Sequence, residues 1–172
     1  MYTLSQKKSN ICFLAGTVLL VIIDQVTKLA AQRLLRGQAA VPLIRGVFEL
    51  QYLENRGSAF GMLQGKRVFF ILMAALMLFI IPYIYVRIPP AKKFVYLRII
   101  AVLFLSGAIG NAADRLLHGY VVDFFYFSLI DFPIFNVADI YVTVSSALLI
   151  VLIFFYYTDE DFEQIQIFHK KH

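Results

Sequence analysis

Charge is scarce in this chain: Asp, Glu, Lys and Arg make up 16% of its 172 residues, while 60% are hydrophobic. A soluble domain carries about 25% charged residues and about half apolar ones. The shortage therefore excludes a water-facing globule and indicates a membrane protein, in line with a mean hydropathy of +0.75. One cysteine, Cys12, excludes an internal disulfide and any cysteine-built metal cluster. The three histidines, His118, His169 and His172, are scattered, two of them in a polar tail, so no zinc set is expected. Neither a Gly-rich phosphate loop nor a dinucleotide-binding pattern is present. Basic residues outnumber acidic ones by 16 to 11, yet no basic stripe stands apart from the hydrophobic segments. Nucleic acid is thus not expected as a partner; the excess fits topology signals and membrane lipid headgroups.

What is abundant is long apolar sequence. A spanning helix needs about 20 mostly apolar residues. Residues 68–86 qualify between Arg67 and Arg87, and residues 140–158 qualify between Asp139 and the acidic run that starts at Asp159. Two further stretches run uncharged only from Ser9 to Ile23 and from Ile99 to Ala113. Each spans only if its helix continues through the charges that follow, which puts Asp24 and Lys28, and Asn111, Asp114 and Arg115, at the far helix ends. The reading is a single integral-membrane domain over residues 1–172, with spans of about 9–28, 68–86, 95–113 and 140–158. A cleaved signal peptide over residues 1–31 is the competing reading, but it leaves Asp24 and Lys28 no reason to sit one helical turn apart.

Four antiparallel spans gather Asp24, Lys28, Asn111, Asp114, Arg115, Asn136 and Asp139 at one membrane surface, together with loops 32–66 and 116–135. In the first loop Phe48, Leu50 and Tyr52 alternate with Glu49 and Gln51, a strand pattern. Upstream, "AAQRLLRGQ" (30–38) is compatible with a short amphipathic turn on the membrane surface. The opposite side is plain and carries Lys7, Lys8, Arg87, Lys92, Lys93, Arg98, Lys170 and Lys171. The polar side carries Arg33, Arg36, Arg45, Arg56, Lys66, Arg67 and Arg115, so the positive-inside rule leans only slightly towards a cytoplasmic plain side.

The carboxylates in apolar sequence carry the functional question, because an ionisable group in a span is costly unless paired or hydrated. Asp24 and Lys28 read as an i,i+4 ion pair anchoring a helix end, and Asp114 beside Arg115 reads as structural. Asn111 and Arg115, also i,i+4, point the same way. Asp131 precedes Phe-Pro and reads as a turn residue. Asp139 stands at the mouth of the fourth span, where the helix dipole favours a carboxylate, and has no basic residue near it in sequence. Asp123 lies between Val122 and Phe124 with no such reason to be there. Two carboxylates brought together from the ends of one loop would share a proton and act as acid and base on a water, the chemistry of aspartic proteases. A Ser–Lys protease would need Ser58 with Lys66, and the sequence around Ser58, between two glycines, reads as a turn. A proton-coupled transporter using intramembrane carboxylates is the second reading, set back by the small bundle and the missing inverted repeat.

Five motifs in order, "DQVTK" (24–28), "NRGSAFG" (55–61), "GNAADR" (110–115), "VVDF" (121–124) and "FNVAD" (135–139), resemble the lipoprotein signal peptidase (signal peptidase II) family over most of the chain. The resemblance implies four transmembrane helices with a small extracytoplasmic β-cradle and a short interfacial helix. It implies an aspartic endopeptidase of the bacterial inner membrane with both termini cytoplasmic and no metal or cofactor; a monomer is expected. The enzyme would cut prolipoproteins just before a cysteine that already carries diacylglycerol. By motif, Asp123 and Asp139 are the catalytic pair, Asn55, Asn111, Arg115 and Asn136 support the site and hold substrate, and Asp24, Lys28 and Asp114 are structural. Ser58, Ile140 with Tyr141, and Ser145 depart from the common pattern.

Overall fold

The computed structural model of the chain describes residues 2–57 and 66–165. In chain order the elements are α1 (Tyr2–Leu35), β1 (Val41–Ile44), β2 (Phe48–Asn55), α2 (Arg67–Tyr85), α3 (Val95–Leu117), β3 (Val121–Tyr126), α4 (Val137–Phe155) and α5 (Asp159–Gln164). Among the described residues, Gln6–Leu35, Arg67–Tyr85, Lys92–Leu117 and Val137–Phe155 are long and apolar enough to cross a membrane.

Lipid offers no gain for burying leucine against leucine, so bundle interiors in membranes are built from small residues that let helices approach closely. Here Ser106, Gly107, Gly110, Ala138 and Ser145 face inward, whereas Leu72, Phe79, Ile150 and Phe154 point outward. A Cβ on Gly107 would run into the Ala138 carbonyl and the Val142 side chain, so this glycine sets the α3–α4 distance. Ser145 is accommodated without a partner helix: its hydroxyl bonds back to the Tyr141 and Val142 carbonyls of its own helix. Ser58 lies outside the described residues.

The ends of the bundle differ as their composition requires. At one end Ser9 bonds Tyr85 at 2.7 Å, and Lys93 pairs with Asp161 at 2.6 Å, tying α5 to the α2–α3 connection. At the other end Arg67, opening α2, donates to the Leu116 carbonyl near the end of α3 at 2.9 Å. The sheet sits at this second end. Its strands run antiparallel in the order β1-β2-β3. Leu50 and Tyr52 of β2, with Val122 and Phe124 of β3, pack on Ala31 and Leu35 in the last turns of α1.

That packing corrects one expectation. Residues 31–35 are not a separate surface turn but complete α1, and the chain leaves the helix only at Arg36. Ala31 and Leu35 lie one turn apart, and the sheet covers both, so burial extends the helix past its charged residues. The fourth span also begins earlier than its apolar run, at Val137, because Asn136 caps it.

Candidate active site

Period 2 decides where Asp123 points. Val122 and Phe124 bury against α1, so Asp123 between them must face the opposite side of β3. Leu53 is its cross-strand neighbour, and Asn55, two residues further along β2, reaches Asp123 diagonally. The Asn55 amide donates to Asp123 Oδ2 at 2.8 Å, while its Oδ1 accepts the Gly57 N–H at 2.9 Å.

Asp139 is placed by the start of α4. Asn136 is the N-cap, and its Oδ1 accepts the Asp139 N–H at 3.0 Å while Asp139 Oδ2 accepts the Asn136 N–H at 3.1 Å. The same Asn136 side chain donates to Asp123 Oδ1 at 2.6 Å and to Asn111 Oδ1 at 3.2 Å. Asn111 in turn donates to Asp139 Oδ1 at 2.8 Å. The two carboxylates are thus joined through the Asn136 and Asn111 amides, with Asn55 holding the outer oxygen of Asp123. Burial pushes the Asp123 carboxyl up to about 7; the charge of Asp139 adds to the rise, and the Asn55 and Asn136 amides and Lys28 oppose it.

Asp123, Asp139, Asn55, Asn111 and Arg115 line one cleft of 510 Å³ whose remaining walls are mainly apolar: Phe70 of α2, residues 132–135, and Ile140, Thr143 and Val144 of α4. Arg115 lies over the Phe70 ring at 4.3 Å and donates to the carbonyls of Gly57 at 2.9 Å and Asn111 at 3.3 Å. Asn111 and Arg115 share a helix face as their spacing predicts, but only Asn111 bonds an aspartate directly.

Asp24, Lys28 and Asp114 lie beneath the cleft, buried together. Lys28 Nζ is 2.9 Å from Asp24 and 3.1 Å from Asp114, and it donates to Asn111 Oδ1 at 2.9 Å. The pair read from the sequence is therefore a trio. Gln25 joins it by bonding both carboxylates at 3.1 Å. Gln25 and Phe70 escape the sequence reading. For Gln25 the available signal was its position one turn before Lys28; nothing in the sequence marks Phe70. Asp131 lies elsewhere, exposed in a turn with φ at 47° and accepting from the Tyr126 hydroxyl at 2.7 Å. Among the described residues no group of three or more His, Cys, Asp or Glu is arranged to hold a metal ion.

A sequence model of the signal peptidase (SPase) II family matches residues 16–155. A lipoprotein signal peptidase of Clostridium tetani is 41% identical over 157 residues, covering 88% of this chain and 96% of that protein. One of Symbiobacterium thermophilum is 44% identical over 134 residues, covering 77% and 87%. Two solved structures, each described as a bacterial membrane enzyme, are 30% identical to this chain. The first superposes with a TM-score of 0.73 over 83% of this chain and 87% of its own; for the second the values are 0.72, 84% and 94%. Five motifs in order, a shared fold and a match over most of both chains lead to one conclusion: this multi-pass membrane protein belongs to the signal peptidase II family and is a peptidase.

Proposed function

We propose that the chain is an aspartic endopeptidase that removes the signal peptide from diacylglyceryl-modified prolipoproteins, cutting just before the lipidated cysteine. The observation that carries the chemistry is a pair of carboxylates, Asp123 and Asp139, facing one cleft and held by amide donors rather than by direct ion pairs. An amide fixes a carboxyl in place without demanding that it be ionised, so the pair can hold one proton between them. The ionised member takes a proton from water as the oxygen attacks the scissile carbonyl, and the protonated member gives its proton to the carbonyl oxygen. Collapse of the resulting gem-diol passes a proton to the leaving amine and returns the pair to its starting state. The apolar cleft walls suit the hydrophobic signal segment and the acyl chains. A proton relay across the bilayer would place such groups near mid-membrane, whereas Asp139 sits in the first turn of α4.

The pH dependence of cleavage tests the shared proton. Because the Asp123 carboxyl rises to about 7, the pair loses its last proton near that pH, and the rate on a lipid-modified prolipoprotein should fall as pH climbs through it. A rate unchanged up to pH about 9 would mean that no proton with that affinity is needed.

Arg115→Lys separates geometry from charge. A guanidinium fork holds two carbonyls at once, which a lysine's point charge does poorly. The variant should insert normally yet lose about 10-fold in specific activity, about 1.4 kcal/mol of transition-state stabilisation. Parent-like activity would make Arg115 a bystander.

The site faces the extracytoplasmic side of the bacterial inner membrane in this reading, with both termini cytoplasmic. The location of a lipidated substrate supports that orientation; the basic residues of the sequence, nearly balanced between the two sides, lean only slightly the same way. A reporter fused after His172 should report the cytoplasm, and one inserted near Arg36 the outside. A C-terminal reporter found outside inverts the chain and rejects the orientation.

A further inference from the structure

Asp24 and Asp114 each hold the backbone N–H of the residue just before a cleft aspartate. Asp24 Oδ1 accepts from Ala138, which precedes Asp139, at 2.9 Å, and Asp114 Oδ2 accepts from Val122, which precedes Asp123, at 3.1 Å. The strand and the helix that carry the two cleft carboxylates are therefore both hung from this lower pair. Side by side in the bundle, two ionised carboxylates repel unless donors bridge them. Lys28 bridges them with charge, through Oδ2 of each. Gln25 bridges them without charge, through Asp24 Oδ2 and Asp114 Oδ1, and also meets the Gly110 carbonyl at 3.2 Å. Gly110 has no room for a side chain, since a Cβ there would collide with the Asp24 carboxylate, so α3 presses its backbone directly on this cluster.

We propose that Gln25 is a positioning residue for the peptidase reaction: its amide ties Asp24 to Asp114 and so fixes the distance between the segments that carry Asp139 and Asp123. The proposal rests on the reading of those two as the catalytic pair. Lys28 links the two carboxylates only through Oδ2 of each; Gln25 adds a second link that reaches the other oxygen of Asp114, so their relative placement is held at two points rather than one. Gln25 does not line the cleft, so its loss displaces the reacting carboxyls while leaving the walls that bind substrate intact. Displacement of that kind lowers turnover rather than binding.

The test compares three variants of the full chain in lipid, each scored for kcat and KM per folded molecule on a lipid-modified prolipoprotein. Gln25→Met keeps the volume without a donor, Gln25→Glu keeps the shape but offers only acceptors when ionised, and Gln25→Lys restores a donor. In Gln25→Met, kcat is expected to fall about 10-fold with KM changed by less than about 3-fold. Gln25→Glu should be at least as slow, and Gln25→Lys should recover most of the loss. A parent-like kcat in Gln25→Met, a loss confined to KM or to folded yield, or a lysine variant no faster than the methionine one overturns the proposal. Asp123→Asn and Asp139→Asn run alongside. Both inactive with a parent-like Gln25→Met rejects the positioning role alone, whereas activity in either asparagine variant rejects the catalytic pair itself.

Discussion

Asparagine at position 123 or 139 is expected to reduce cleavage by at least about 10³-fold while leaving the protein inserted and folded. An amide has nearly the shape of a carboxyl but cannot take a proton from water or pass one on, so either replacement removes half of the acid–base exchange. Stability at Asp123 should respond in a way that identifies the group. Its folded carboxyl holds a proton up to about 7, whereas the unfolded chain releases it near 3.9. Between those values the native state binds more protons, so this group's contribution is fully present below pH about 4 and is lost as pH rises through about 7. Asparagine does not ionise, so the thermal midpoint of Asp123→Asn should fall less than that of the parent between pH 5 and pH 8. Parallel curves for the two proteins would show that the Asp123 carboxyl is not perturbed. Asp131→Asn is the control: the residue is exposed, asparagine tolerates its left-handed backbone, and its bond from Tyr126 needs only an acceptor. Most activity should survive there.

Asn136 should be the most sensitive residue after the two aspartates. It is fully buried, and its side chain caps α4, donates to Asp123 and donates to Asn111. Two replacements separate these duties. Asn136→Asp keeps an oxygen for the cap but loses both donations and sets a third carboxylate against the pair. Asn136→Ala loses the cap as well, worth about 1 kcal/mol. Both should lose about 100-fold or more in initial rate per folded molecule, on the scale of a removed acid–base partner. The alanine variant should in addition have the lower thermal midpoint. An aspartate variant retaining more than about a tenth of the parent rate would limit Asn136 to capping.

Much of this site was legible because its residues violate local rules. Asp123 and Asp139 stand out as carboxylates in apolar sequence, and the alternation at Phe48, Leu50 and Tyr52 marks β2 before any pairing is known. Arithmetic on antiparallel spans brings Asp24, Asn111 and Asp139 to one end. What the sequence does not carry is partner choice across elements. Asp24 and Lys28 satisfy each other on paper, so nothing signals that Asp114 completes the group or that its acidic members cap Val122 and Ala138. The length of α1 is hidden for the same reason. Its last turns are held by Val122 and Phe124, about 90 residues away in the chain.

In the proposed reaction Asp123 and Asp139 together cut a lipid-modified prolipoprotein before its modified cysteine. The most direct measurement incubates the purified protein in lipid with that substrate and with its unmodified counterpart, and determines the new N-terminus of the product by mass spectrometry. The signal peptide should be released from the modified substrate, with the lipidated cysteine as the first residue of the product, and neither asparagine variant should release it. Cleavage elsewhere, or undiminished cleavage by Asp123→Asn or Asp139→Asn, would contradict it.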